Sequence, residues 1–465
     1  MHLKSGENMM MSDAAIKESK DPEPCEKFTV CVVGCGRSGI LHACIFVEAG
    51  VNVICADEDR TLVERVSKGR VPFLRQEVEP VLRKNLDDGR LRVTSNLEGA
   101  VTLSNIIVVT TPTEINEKDR VDYSNIEKNL KRIGLNLRKN TLVIITSVVG
   151  VNVTENILKE VLENTSGLKL GVDFYLAYSP VLDWKTHTLK SLANYKRIVA
   201  AFDENSLEKA SDFLGSVTKT LPIKTMDVRA AETAILLEAM RRKIGSVLAN
   251  EFAFFCEKIG VDYLTVQSLL TADLGEFVQP TLDCTVDNEL LILSEDAESH
   301  NIKLRTLAVS LESNKEMLRH AVALIQEALK SCGKTTRRAR VALLGISQNR
   351  NIMDTPKNSL KMFVGMLERR GVKLSLYDPY LPQKFSTELE LPPIKENLTE
   401  ALEGADCVVI FTGHDQFKRL NLKKLKLLMK MPAAIVDFEG ILDPVKVESE
   451  GFVYRGLGRG LRKNG

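Results

Sequence analysis

Long apolar runs are missing from this sequence. No stretch approaches the ~18 consecutive apolar residues of a membrane-spanning helix, and the N-terminus lacks the apolar core of a secretory signal. Net charge is also nearly absent: 63 Lys and Arg against 62 Asp and Glu give +1. That balance offers no electrostatic footing for a nucleic-acid or acidic-membrane partner. The basic clusters Arg337-Arg338-Ala339-Arg340 and Lys423-Lys424-Leu425-Lys426 read as solvated faces. Cysteine is present nine times, an odd number, and never as C-x-x-C. This argues against a disulfide framework and a zinc site and for a reducing, cytoplasmic location; no metal is expected. Residues 1–26 are polar, carry Pro22 and Pro24, and are expected to form a disordered tail. Met9, Met10 and Met11 leave the start of translation open. What remains, 465 residues with 44% hydrophobic and 27% charged, suits a globular protein of two to four domains with an ample core.

The chain is organised around residues 30–59. A short apolar run, Val30 to Val33, meets Gly34-Cys35-Gly36-Arg37-Ser38-Gly39. A helical pattern closed by Gly50 and a second apolar run ending on Asp57 follow. Strand, Gly-rich turn, helix, strand and acid form the dinucleotide-binding fingerprint. Gly34 serves the tight turn, Gly36 the approach of the pyrophosphate, and Gly39 the packing of helix on strand. The helix start at Arg37 and Ser38 offers N–H groups and a positive dipole end to phosphates. Asp57 is placed to accept ribose hydroxyls and to repel a 2′-phosphate, which favours NAD over NADP. Arg60 argues the other way, but one turn past the acid it reads as solvated.

The pattern then continues as strands and helices. Strands are expected at Leu91–Thr94, Ile106–Val109, Thr141–Ile145, Phe174–Tyr178 and Lys196–Ala200. Together they predict an α/β, doubly wound parallel sheet with ligands at the carboxyl ends of its strands. From Val228 to Gly260 one long helical pattern forms a spine, and helices run on to about Leu329 with an irregular break at 272–288. A second strand-plus-Gly entry, Val341 to Gly345, opens another α/β domain. The organisation is a tail at 1–26 and a dinucleotide-binding Rossmann domain at 27–226. A central helical dimerisation domain at 227–330 and a second Rossmann-like domain at 331–465 follow.

Several words recur in this architecture: Thr111-Pro112-Thr113 and Ser179-Pro180 after strands, and Asn250-Glu251 on the spine. Tyr377-Asp378-Pro379, Thr412-x-His414-Asp415-x-Phe417 and Gly456-Leu457-Gly458-Arg459-Gly460 complete the set. With them the chain resembles the UDP-glucose/GDP-mannose dehydrogenase family over roughly residues 28–460. The resemblance implies NAD in the first domain, held by Gly34, Gly36, Arg37, Ser38, Gly39, Asp57, Thr111, Pro112, Thr113 and Ser147. It implies a nucleotide sugar, such as a UDP-sugar, on the last domain, with Asn250, Arg350 and Lys357 as substrate-binding candidates. It also implies a homodimer through the spine, and oxidation of the sugar C6 from alcohol to acid through a cysteine-bound intermediate.

The sequence departs from that family where the chemistry lies. The family's spine Lys and Asn correspond here to Ile235 and Ala239, and the hydrolytic Glu to Val181. Lys243 lies eight residues, or ~12 Å, along the helix from Ile235 and does not replace the Lys. The nucleophile loop is altered: Cys284 is a candidate nucleophile and Asp287 its acid, but an ungapped match puts Asp283 at the nucleophile position. Thr111 is the retained member of the site. In the last domain Asn349 and Pro356 replace the family's Lys and Arg, with Arg350 and Lys357 one residue off, and Glu439 stands where the family usually has an Arg. Removing one oxyanion donor typically costs ~100- to 1,000-fold in rate. Three readings therefore stay open: an active NAD-dependent dehydrogenase with a rearranged site, a catalytically silent paralogue that binds NAD and a partner subunit, and a dehydrogenase of another alcohol using a base such as His187.

Overall fold

The computed structural model describes residues 28–182, 188–274, 279–282, 287–381, 383 and 390–459. The expected tail, His187, Asp283, Cys284 and the closing Gly460 lie outside the described residues.

The strands of the first domain are β1 (Thr29–Val33), β2 (Asn52–Ala56), β3 (Leu91–Thr94), β4 (Ile106–Val109), β5 (Glu114–Ile115), β6 (Val121–Asp122), β7 (Leu142–Ile145), β8 (Tyr175–Tyr178), β9 (Ile198–Ala201) and β10 (Ile223–Thr225). Eight of them form one sheet in the order β10-β9-β8-β7-β4-β1-β2-β3, and β5 pairs with β6 in a separate ribbon. Helices cover both faces, which is why β1, β4 and β7 read as unbroken apolar runs. Alternate residues serve opposite cores. Val30 and Val32 join the cluster beneath the Arg37–Glu48 helix, whereas Cys31 and Val33 face the cluster around Ile126 and Leu130. The doubly wound sheet expected from sequence is present, with one difference. β9 runs antiparallel to β8, and β10 is parallel to β9, so the last two strands oppose the rest.

The spine is a single helix, Val228–Ile259, of 32 residues. Asp227 caps its start by accepting from the Ala230 N–H, and Gly260 ends it at φ 78, where a side chain would be strained. The central helix buries Ile235, Leu236 and Ala239. It exposes Leu248, Phe252, Phe255 and Ile259, a stripe at i, i+4, i+7 and i+11.

The last domain holds β11 (Arg340–Leu344), β12 (Lys373–Tyr377), β13 (Cys407–Ile410), β14 (Ala434–Asp437) and β15 (Val453–Gly456). All pair in parallel, in the order β12-β11-β13-β14-β15. The Arg305–Ser331 helix lays Leu318, Ile325 and Leu329 against Val341, Leu343 and Val436. Its apolar face therefore belongs to the core of the last domain, although in sequence it precedes residue 331. Arg459 and Asp262 form an ion pair that ties the closing Gly-rich segment to the end of the spine, where the Gly458 N–H also donates to Glu257 (2.7 Å).

Candidate active site between two clefts

In the first domain the strand order reverses between β1 and β4, and there the Gly-rich turn and Thr110 to Thr113 meet. Gly34 adopts φ 108. A Cβ on Gly39 would stand 1.8 Å from the Gly34 carbonyl oxygen, so helix and strand touch through backbone. A Cβ on Gly36 would meet nothing within 4 Å, so that face is open. No side chain caps the Arg37–Glu48 helix and no acid sits in its first turn, which leaves its leading N–H groups to an anion.

Asp57 is half-buried and oriented by the turn it serves. Its Oδ2 accepts from the Cys35 N–H (2.7 Å) and its Oδ1 from the Asp59 N–H (2.9 Å). Glu58 and Asp59 also line this cleft of about 420 Å³. Arg132 lines it too, but is engaged by Glu98 (2.8 Å) and Glu58 (3.8 Å). Three carboxylates around the ribose position suit a free 2′-hydroxyl and oppose a 2′-phosphate. Arg60 is exposed and does not line the cleft. The residues present fit NAD.

Thr111, Thr113 and Ser147 are buried. Thr111 Oγ1 accepts from Asn129 (3.0 Å), its carbonyl accepts from the Ser147 hydroxyl, and the Thr113 hydroxyl donates to the Val148 carbonyl. Asn125, Asn129 and Arg132, unremarked in the sequence reading, face the cleft from one side of the Ser124–Leu135 helix. Their spacing of i, i+4 and i+7 is a signal that was available. On the buried side of the Arg37–Glu48 helix, Arg197 Nη2 donates to His42 Nε2 (2.7 Å), so His42 Nδ1 carries the proton and donates to the Ser38 carbonyl (2.7 Å). Burial, with the Arg197 charge adding to it, pushes the His42 pKa down to about 3.

The loop after β7 is anchored to the helices it faces. Glu232, fully buried on the central helix, accepts from the Asn152 (2.7 Å) and Thr154 (2.8 Å) N–H groups, and Asp296 accepts from Val151 (2.9 Å). Burial raises the Glu232 carboxyl above its ordinary value.

The chamber beyond is apolar. Val181 lines the first cleft at 5% exposure. Ile235 (3%) packs with Leu182 and Ile292, and Ala239 (1%) with Leu290 and Leu307. The three positions at which the resemblance calls for Glu, Lys and Asn are therefore built into hydrophobic clusters. Asp287 stands at the start of the next helix, where Arg242 donates to its Oδ2 at 2.6 Å.

A second cleft of about 280 Å³ lies between the domains, and Arg37 lines both clefts. Arg37 pairs with Asp354 across the gap (3.1 Å), and the Met353 N–H donates to the Pro72 carbonyl (2.8 Å). Arg350 and Lys357 line this second cleft, and Glu439 pairs with both. Asn250 grips the backbone of Thr281, donating to its carbonyl (3.1 Å) and accepting from its N–H (2.8 Å). Thr281 itself lines the second cleft. Behind it, Asp378 accepts from the Ile346 (2.7 Å) and Ser347 (2.9 Å) N–H groups and lies 3.1 Å from His414 Nε2. The Asn351 N–H donates to His414 Nδ1, so Nε2 carries the proton that faces Asp378. Burial works to raise the Asp378 carboxyl, but these donors outweigh it and hold it below the usual range.

Two Rossmann-like domains, a dinucleotide cleft in the first and a cation-lined cleft between them define the architecture of two-domain, dinucleotide-dependent oxidoreductases. The chain belongs to the UDP-glucose/GDP-mannose dehydrogenase family: the family's NAD binding domain matches residues 28–214 and its UDP binding domain residues 342–444. It is 27% identical over 436 residues to the UDP-N-acetyl-D-mannosamine dehydrogenase of Pyrococcus horikoshii, covering 93% of this chain and 99% of that one. The UDP-glucose 6-dehydrogenase of Rhizobium meliloti is 23% identical over 443 residues, with 92% and 99% covered. Among solved structures, UDP-D-ManNAc dehydrogenase from Pyrococcus horikoshii superposes with a TM-score of 0.80 at 26% identity, over 93% of this chain and 99% of that chain.

Proposed function

We propose that this chain is an NAD-dependent dehydrogenase that oxidises the C6 alcohol of a UDP-sugar towards the acid, with helpers other than those usual in its family. The retained cofactor cradle carries this reading: an uncapped helix start, an open Gly36 and an Asp57 oriented by the turn itself. The first-turn N–H groups hold the pyrophosphate and Asp57 the ribose hydroxyls. Thr111-Pro112-Thr113 and Ser147 form the wall along the nicotinamide half. When bound, NAD supplies the hydride acceptor. The UDP-sugar enters from the cleft between the domains, its phosphates towards Arg350 and Lys357 and its sugar towards Val181. Asp287, the candidate acid, is held by Arg242 at 2.6 Å. With Ile235, Ala239 and Val181 offering no donor, turnover is expected to be slow by at least ~100-fold.

The protein works in the cytoplasm as a dimer. The exposed stripe Leu248, Phe252, Phe255 and Ile259 on the central helix supports that assembly. Phe255→Glu is expected to give monomers by light scattering; a dimer unchanged by it argues for another interface.

The apolar burial of Ile235, Ala239 and Val181 favours a second reading, an NAD-holding paralogue that turns over no sugar and pairs with a partner subunit. An NADH assay at 340 nm with UDP- and GDP-sugars, run beside Cys284→Ser, separates the two. Two NADH per sugar, lost in the variant, support the four-electron reaction; one NADH per sugar means the reaction stops at the aldehyde. No NADH, with NAD binding retained by calorimetry, supports the silent paralogue.

A further inference from the structure

The cleft between the domains holds a carboxylate among its cations. Lys357 is 7% exposed, and its ammonium donates to the Phe411 carbonyl (2.9 Å) and lies 3.3 Å from Glu439 Oε1. Arg350 donates to the other oxygen, Glu439 Oε2. Glu439 is fixed from its backbone: its N–H donates to Asp437 Oδ1 (3.1 Å), and Asp437, 1% exposed, also accepts from the Leu442 N–H (2.8 Å). Gly413 makes room for it, because a Cβ at that position would stand 3.1 Å from Glu439 Cβ. Burial works to raise the Glu439 carboxyl, but the Lys357 and Arg350 charges hold it below the usual range, so it is an anion at neutral pH. Of the other cations lining the cleft, Arg37 is paired with Asp354.

Two of the cleft's cations thus share one carboxylate of the protein itself, which offsets half of their charge. An entering phosphate gains from Arg350 and Lys357 only the difference between its own attraction and that of Glu439. Removing the carboxylate's charge leaves Lys357 largely buried and unneutralised, a state that an external anion relieves.

We propose that Glu439 limits anion binding in this cleft: it competes from within the chain for Arg350 and Lys357, so that a diphosphate group enters only by displacing it. The inference rests on the reading of this cleft as the nucleotide end of the substrate site, and adds what limits phosphate binding there. It also gives a role to a position where the resemblance calls for the opposite charge.

The test is calorimetry of inorganic pyrophosphate with the full chain at near-physiological salt. Glu439→Gln keeps the shape and removes the charge, and is expected to tighten pyrophosphate binding about tenfold, a change of ~1.4 kcal/mol. NAD binding in the first cleft should be unchanged, which reports that the variant is folded. Adding Lys357→Met to Glu439→Gln is expected to abolish the gain. Equal or weaker binding by folded Glu439→Gln overturns the proposal. Should that variant fail to fold, Glu439→Asp, too short to hold both cations, is read the same way: a gain supports the proposal and no gain overturns it. Binding of UDP is measured separately. A pyrophosphate gain without UDP binding in any variant keeps this inference and removes the UDP-sugar reading, whereas UDP binding without a gain does the reverse.

Discussion

Two turns in this molecule share a frame and differ in use. In each domain a glycine with positive φ follows the first strand, Gly34 at 108° and Gly345 at 73°, and an acid at the end of the neighbouring strand accepts N–H groups from that turn. After Gly34 a helix begins within three residues, so phosphate meets backbone N–H groups and a dipole end. After Gly345 the next helix starts only at Ser359, and the intervening loop offers the side-chain cations Arg350 and Lys357 instead. The acids diverge accordingly. Asp57 is half-buried and lines the cofactor cleft, while Asp378 is 4% exposed and committed to Ile346, Ser347, Tyr380 and His414. One faces its cleft directly, and the other holds the loop whose cations line the second cleft.

Substitutions at matched positions can break this comparison. The largest effect is expected at Gly39, where Gly39→Ala forces a Cβ into the Gly34 carbonyl oxygen and costs about 3 kcal/mol of stability along with NAD binding. Gly36→Ala, pointing into open space, should keep the melting temperature and weaken only NAD; matching losses at both glycines would end the distinction. Next, Asp378→Asn should cost about 2 kcal/mol in denaturant unfolding and leave NAD affinity intact, because a buried charged acceptor is lost. Asp57→Asn should do the opposite, weakening NAD about tenfold by calorimetry with little change in stability. Equal stability losses in the two variants would make Asp57 structural as well.

The effect that is smallest at neutral pH, and grows only on acidification, concerns the support beneath the first turn. The folded His42 value of about 3 lies below its unfolded value of about 6.5, so acid protonates the unfolded chain first. Its contribution to stability is complete above about pH 6.5 and is lost as pH falls towards about 3, at ~1.4 kcal/mol per pH unit. Glutamine can meet both Ser38 and Arg197, so His42→Gln should flatten the urea midpoint between about pH 6.5 and 4 relative to the native chain. Parallel curves would show that His42 is not the group being titrated.

Much of the architecture was legible because it rests on local rules. Apolar runs bounded by glycine gave the strands, since strands covered on both faces are apolar throughout. Asp227 and Gly260 bounded the central helix by capping. The dinucleotide turn was readable because its glycines, helix start and acid lie within one βαβ unit, where sequence spacing becomes geometry directly. The reversed direction of β9 was not readable, because the same apolar run fits a parallel or an antiparallel neighbour.

The sequence by itself shows Ile235, Ala239 and Val181 as apolar residues, where the resemblance leads one to expect oxyanion donors and a hydrolytic acid. Only the tertiary structure decided what they do instead, because their partners Leu182, Ile292, Leu290 and Leu307 come from other helices and loops. The same holds for Arg37, which meets Asp354 across 317 residues, and for Glu439, which meets Lys357 across 82 and Arg350 across 89. A charge in a sequence has no partner until the fold closes the distance. In this chain that closure engages cations which the sequence alone leaves available to a ligand.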